Sequence, residues 1–298
     1  MPKNIPVHKS VYRSKSISRF PAAMMPLVFF TIIFCLSGCS TQLPTVPAFS
    51  TDGQHQPGKI IWHDLVTPDL QQARNFYSKL FGWSFEDLTD GYTLIKHNGN
   101  HIGGMARHRQ SGNSAYWVPL MSVPDVDKAV KYTTQSGGEL LLKAFELPGR
   151  GRIAVVNDPQ GAIFAVAQTT QGDPVNRKAG VNDWLWNEVW TDDIKATKTY
   201  YTGLVGFQLG EAVTDKGTYH YLKYQGIPRA GLIKNQDYDI ANTWVAYIRV
   251  EDVKAAAAQV EALGGKILMS PRPDIRNGSV AVITDPSGAG LVIQEWVK

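Results

Sequence analysis

Two carboxylates carry the most chemistry in this chain, and each stands two residues after a tryptophan: Asp64 follows Trp62, and Glu188 follows Trp186. Successive side chains of a β-strand point to opposite faces, so each acid shares a face with its tryptophan. A carboxylate among aromatic rings loses solvation, which raises its pKa and suits it to act as general acid, general base or cation-binding group. The competing role is architectural, each acid accepting backbone or tyrosine hydrogen bonds and organising the packing between halves of the chain. His63 has the opposite parity to Trp62, which predicts that it turns to the outer surface. His97, His101 and His108 alternate poorly around a hairpin and read as solvated surface. No nucleophile motif, glycine-rich phosphate loop or nucleotide fingerprint accompanies these residues.

The elements that must position the acids occur twice. Phe76-Tyr77 followed by Phe81-Gly82-Trp83 returns as Tyr200-Tyr201 followed by Val205-Gly206-Phe207, and Asp158-Pro159-Gln160-Gly161-Ala162 returns as Asp285-Pro286-Ser287-Gly288-Ala289. Each copy has about 110 residues, near the commonest domain size. Within a copy, a strand (59–66 or 184–191) leads to a helix opened by Asp69 or Asp193 as N-cap. Leu70, Ala73, Tyr77, Leu80 and Phe81 share one face of the first helix, which predicts packing on a sheet. Shorter strands follow near 92–95 and 101–102, joined at Asn98-Gly99, a tight hairpin signal. The unit then starts again, with strands at 117–123 and 244–250, helices from Asp125 and Asp252, and strands at 152–157, 162–168, 280–284 and 290–296. The chain therefore reads as α+β, four βαβββ units in two pairs. Gly103-Gly104 and Gly137-Gly138 are assigned to turns and helix ends, and Trp83 and Trp117 to the core. Fragments 59–170 and 180–298 are expected to keep their secondary structure apart, with some apolar surface buried between them.

Residues 1–39 carry Lys3, Lys9, Arg13, Lys15 and Arg19 and no acid. Removing these five from the 30 basic side chains leaves 25 against 26 acidic ones, so the +4 formal charge belongs to the leader. A basic nucleic-acid footprint is absent. The apolar run from Ala22 to Leu36 is interrupted by Pro26 and falls short of the roughly 20 residues of a spanning helix. It reads as an export signal. Its end, Leu36-Ser37-Gly38-Cys39, resembles the lipobox of bacterial lipoproteins, which implies cleavage before Cys39 and lipidation of that residue. Ser40 beside it implies delivery to the periplasmic face of the outer membrane. Cys35 and Cys39 are the only cysteines, so the mature chain has no pair for a disulfide. Residues 40–58, rich in Ser, Thr, Pro, Gln and Gly, are expected to be a flexible tether, and 171–181 a linker between domains at 59–170 and 182–298.

The helix motif D-L-x-x-A-x-x-F-Y-x-x-x-F-G-W with the repeated D-P-x-G-A resembles the vicinal oxygen chelate superfamily, which includes glyoxalase I, extradiol dioxygenases and bleomycin-resistance proteins. The resemblance covers 59–298 and is similar in particular to its tandem glyoxalase-like branch. It implies two domains, each with a U-shaped sheet around a cavity. It also implies a divalent metal held by His and Glu at four strand positions per domain. Those positions hold Trp62 and Trp186, then Ile102 to Met105 and Ala230 to Ile233, then Val118 and Val245, and finally Ala165 and Val292. None offers a donor side chain, whereas a catalytic metal needs about three protein ligands and an open position.

Two function classes follow. In the first, Trp62, Trp186, Val118, Val245, Ala165 and Val292 line paired cavities that bind a small molecule without a metal or other cofactor. In the second, Asp64 or Glu188 transfers protons in a glyoxalase, dioxygenase or isomerase-like enzyme, with a divalent metal only if one is recruited unconventionally. A purely structural envelope protein is a third reading. Gln168 and Glu295, at equivalent ends of the last strands, are read as edge or interdomain groups.

Overall fold

The computed structural model describes residues 46–89, 91–108, 114–214, 217–235 and 241–296. The leader, Cys39 and the first part of the expected tether lie outside these residues. The first copy runs β1 (Ile60–Thr67), α1 (Leu70–Phe81), β2 (Ser84–Thr89), β3 (Tyr92–His97), β4 (Asn100–Arg107), then β5 (Tyr116–Ser122), α2 (Val126–Gln135), β6 (Glu139–Leu147), β7 (Gly151–Asn157) and β8 (Ile163–Thr169). The second repeats it with β9 (Trp184–Thr191), α3 (Ile194–Val205), β10 (Gln208–Thr214), β11 (Gly217–Tyr224), β12 (Ile227–Lys234), β13 (Thr243–Val250), α4 (Val253–Val260), β14 (Lys266–Met269), β15 (Val280–Thr284) and β16 (Gly290–Glu295). These are the four βαβββ units. Each copy forms one eight-stranded sheet, ordered β2-β3-β4-β1-β5-β8-β7-β6 and β10-β11-β12-β9-β13-β16-β15-β14. Each unit's helix begins at an aspartate whose carboxylate accepts the backbone N–H three residues on: Asp69, Asp125, Asp193 and Asp252. Those bonds satisfy donors that a helix start leaves open.

The helices pack outside the curved sheets, and there the two copies interlock. One core joins Phe76, Tyr77, Phe81 and Trp83 of the first copy to Val253, Val260, Ile283 and Leu291 of the second. The reciprocal core joins Val126, Phe164 and Val166 to Tyr200, Tyr201, Leu204 and Trp244. The repeated motifs meet in these cores. Tyr77 donates its hydroxyl to Asp285 Oδ2 at 3.1 Å, and Tyr201 donates to Asp158 Oδ2 at 3.0 Å. Each tyrosine in turn accepts a tryptophan N–H, from Trp117 at 3.2 Å and Trp244 at 2.8 Å. The other oxygen of each aspartate closes its own turn by accepting two backbone N–H groups. Burial pushes both carboxyls above the usual aspartate range, against these hydrogen bonds.

Several expectations are corrected here. His63 does have the opposite parity to Trp62, but its face is covered by the second copy: it is buried, hydrogen-bonded through Nε2 to Asn187 Oδ1 at 2.8 Å and stacked on Trp184 at 4.0 Å. His97 is likewise buried, with Nε2 at 3.0 Å from the Val181 carbonyl. Residues 46–58 of the expected flexible tether are docked at several points. Val46 is buried beside Trp62, Val118 and Ala165, Phe49 meets Trp62 edge-on at 5.8 Å, and Thr51 pairs with Pro174. Two apolar side chains suffice to dock this segment because the mouth of the first sheet offers them an apolar seat. Gly103 and Gly104 belong to β4 rather than a turn.

Candidate functional site

Each curved sheet forms a cup, and the acids stand on its inner wall. In the first, Asp64 on β1 lies opposite Val118 of β5 and beside Gly104 of β4, while Leu120 pairs with Ala165 of β8. Asp64 Oδ1 accepts Trp62 Nε1 at 3.0 Å and the Tyr92 hydroxyl at 2.8 Å. Gly104 is required here, because a Cβ would overlap both the Tyr92 hydroxyl and Asp64 Oδ1. Asp64 Oδ2 takes no hydrogen bond from any described residue. Arg150, from the turn between β6 and β7, lies over the Trp62 ring at 4.0 Å and under Phe49 at 3.8 Å. Burial raises the Asp64 pKa above the usual value, opposed by Tyr92, Trp62 and the Arg150 charge. Burial also lowers Arg150 to about 10.

The second cup repeats the set in a closed form. Glu188, fully buried on β9, lies opposite Val245 and beside Gly231, whose missing Cβ makes room for the Tyr219 hydroxyl. Oε1 accepts Tyr219 at 2.9 Å and Arg276 Nη2 at 2.7 Å; Oε2 accepts Trp190 Nε1 at 3.1 Å and the Tyr247 hydroxyl. A carboxylate has about four lone-pair sites, and all four are used. Arg276 also donates Nη1 to Gln294 Oε1 at 3.2 Å. Burial alone would lower the Arg276 pKa, but Tyr247 and Glu188 outweigh it and hold the charge firmly in place. Trp186 Nε1 donates to the Tyr219 hydroxyl at 2.9 Å.

The structure thus brings the expected residues together on the inner faces: Trp62, Asp64, Val118 and Ala165 in one cup, and Trp186, Glu188, Val245 and Val292, the last beside Tyr247, in the other. The walls are close-packed, with Trp62, Val118, Ala165, Val245 and Val292 only 2–6% exposed, whereas Asp64, Tyr92 and Trp186 keep more surface. Sequence reading missed Tyr92, Tyr219, Tyr247, Arg150 and Arg276. The available signal was the repeat itself, since an arginine three or four residues before Ile153 and Val280 occurs in both copies. Among the described residues no group of three His, Cys, Asp or Glu side chains gathers as a metal would need. One carboxylate per cup does not fit a three-ligand cage. A groove of about 730 Å³ opens elsewhere, between Val123, Arg152, Gln168 and Tyr224. Its Glu146 and Arg152 pair with each other at 3.2 Å.

The family described as Glyoxalase/Bleomycin resistance protein/Dioxygenase superfamily matches residues 59–166 and 185–293. The chain is 28% identical over 245 residues to CFP32 of Mycobacterium bovis, provisionally named a glyoxylase, covering 79% of this chain and 94% of that protein. It is 29% identical over 263 residues to the anthracycline biosynthesis protein DnrV of Streptomyces peucetius, covering 80% and 94%. Among solved structures, a Mn(II)-bound glyoxalase from Novosphingobium aromaticivorans superposes with a TM-score of 0.58 at 13% identity, over 82% of this chain and 83% of that one. An extradiol ring-cleaving dioxygenase from B. fuscum gives 0.56 at 17% identity, over 86% and 75%.

Proposed function

The chain belongs to the Glyoxalase/Bleomycin resistance protein/Dioxygenase superfamily; within it we propose a metal-independent small-molecule binding protein which, on the strength of Leu36-Ser37-Gly38-Cys39, is held by a lipid on Cys39 at the periplasmic face of the outer membrane. The observation that carries the reading is the contrast between the cups. At the positions where the family resemblance implies metal ligands this chain holds tryptophan and apolar residues, and beside them it places an acid with tyrosine and arginine. In the second cup those groups satisfy one another. In the first, Asp64 Oδ2 and the Arg150 guanidinium remain open beside the apolar wall of Trp62, Val118 and Leu120. Open polar groups in an apolar recess are what a small ligand requires.

A second reading has one observation in its favour. Asp64 combines a raised pKa with an uncommitted oxygen, which suits a general acid in a lyase, isomerase or dioxygenase-like reaction.

Elemental analysis of purified full-length protein and a thermal-shift screen of small molecules test the proposal together. No stoichiometric metal, no response to chelator, and a stabilising ligand whose effect is lost in Asp64→Asn are expected. A bound equivalent of zinc, iron, manganese or nickel would overturn it. The placement is tested separately, since Cys39→Ala should release the protein from the outer-membrane fraction, and unchanged membrane association would refute the anchor.

A further inference from the structure

We infer that the first cup binds a small monoanionic carboxylate with an apolar body, gripped by the guanidinium of Arg150. The inference rests on the small-molecule reading above and names its ligand class. It starts from an arginine without acceptors. Arg150 is only 4% exposed, and its buried Nε has no hydrogen-bond partner. The remaining guanidinium nitrogens make no hydrogen bond or ion pair with any described residue. It is stacked between the rings of Phe49 and Trp62, with Tyr92 and Asp64 near enough to act on its charge. Stacking of this kind stabilises the charge through the faces of the guanidinium and leaves its five N–H donors pointing outward in the plane. Buried donors find acceptors as a rule, and the planar fork of arginine matches the two oxygens of a carboxylate.

The second cup shows which acceptors are missing. Arg276 is satisfied by Glu188 and Gln294. The equivalent positions in the first copy, counted from the repeated strand and the repeated Asp-Pro-x-Gly turn, hold Asp64 and Ala167. Asp64 is one methylene shorter than glutamate and commits Oδ1 to Trp62 and Tyr92, while Ala167 offers no side-chain acceptor. Both acceptors have therefore been withdrawn from the arginine in one cup and kept in the other. Trp62, Val118 and Leu120 belong to one buried cluster on which Val46 and Phe49 pack, an apolar wall suited to a hydrocarbon or aromatic body that takes the place of those two side chains. A single guanidinium balances one negative charge, so a monoanion fits better than a phosphate dianion beside Asp64.

The probes are 2-naphthoate, its neutral counterpart 2-naphthamide and the dianion 2-naphthyl phosphate, titrated into purified full-length protein by calorimetry and by tryptophan fluorescence. Naphthoate should bind at least tenfold more tightly than either of the others. Arg150→Gln should remove that tenfold preference for naphthoate over naphthamide, and Arg272→Gln, at an exposed arginine paired with Asp274, should preserve it. Equal binding of naphthoate and naphthamide by the unaltered protein, or tighter binding of the phosphate, would overturn the carboxylate assignment while leaving small-molecule binding in place. That comparison needs no variant and stands even if Arg150→Gln fails to fold. No binding of any of the three probes also overturns the assignment, whereas the broader reading falls only if the thermal-shift screen also finds no ligand.

Discussion

Acid should unfold this protein through one histidine. His63 sits between the two copies, with Asn187 on Nε2, the Trp184 ring against its face, and no partner for Nδ1. Burial lowers its pKa from 6.5 to about 4, opposed only by the Asn187 hydrogen bond. Above the unfolded value both states are neutral and the full stability is present. As pH falls through 6.5, the unfolded chain takes up a proton that the folded chain refuses, so stability is lost progressively until about pH 4. Each pKa unit is worth about 1.4 kcal/mol. The complete loss is therefore about 3 kcal/mol, of which about 2 kcal/mol has gone by about pH 5. His63→Gln removes the titrating group along with the stacking and a hydrogen bond, at a cost of about 2 kcal/mol near neutral pH. Urea denaturation of both proteins at about pH 7 and about pH 5 should show this gap nearly vanish in acid. Asp64, Asp158 and Asp285 titrate with the opposite sign, because their folded pKa values are raised. They are common to both proteins and cancel in the difference. A gap that stays constant across this range would refute the buried neutral histidine.

Other substitutions separate the roles of the remaining groups. Glu188→Gln removes the counter-charge of Arg276 and sets an NH2 group against two of the four donors, and should cost about 3 kcal/mol in urea denaturation; Asp64→Asn, with no direct partner cation, should cost about 1 kcal/mol. Tyr77→Phe and Asp285→Asn should each lower stability by about 1–2 kcal/mol, with a coupling of about 1 kcal/mol in the double variant, because they share one bond across the interface. Gly104→Ala should cost about 1–3 kcal/mol by driving Tyr92 off Asp64, read as a fall in melting temperature and a change in the fluorescence of Trp62.

The inner strands and helix starts were legible because those strands are buried along most of their length, which leaves apolar runs, and an aspartate opens every helix. The outermost strands β2, β6, β10 and β14 were not placed by sequence. β10 and β6 have few buried positions, so an edge strand leaves a weak hydrophobic pattern. Asp64 and Glu188 could be picked out by parity beside Trp62 and Trp186, but not their partners. Tyr92 and Arg150 reach Asp64 and Trp62 from strands and turns 28 and 88 residues away, and no local spacing encodes such a meeting. The error over His63 has the same origin. Parity fixes which face a side chain takes; only the assembled pair of copies decides whether that face meets water.

The His63–Asn187 contact also says something about what joining the copies permits. The two residues occupy the same place in their respective repeats, 124 positions apart, so they meet where the internal two-fold relation brings each position to its own counterpart. In a symmetric dimer of a single repeat, a residue at such a place would face an identical one. One side chain type would then have to serve as donor and acceptor to itself. Once both repeats lie on one polypeptide, the two sides are free to diverge, and here one supplies a ring nitrogen and the other an amide oxygen. Fusion has turned a point that had to be self-complementary into one that is merely complementary. The same freedom lets one cup close on its own arginine while the other leaves its arginine open.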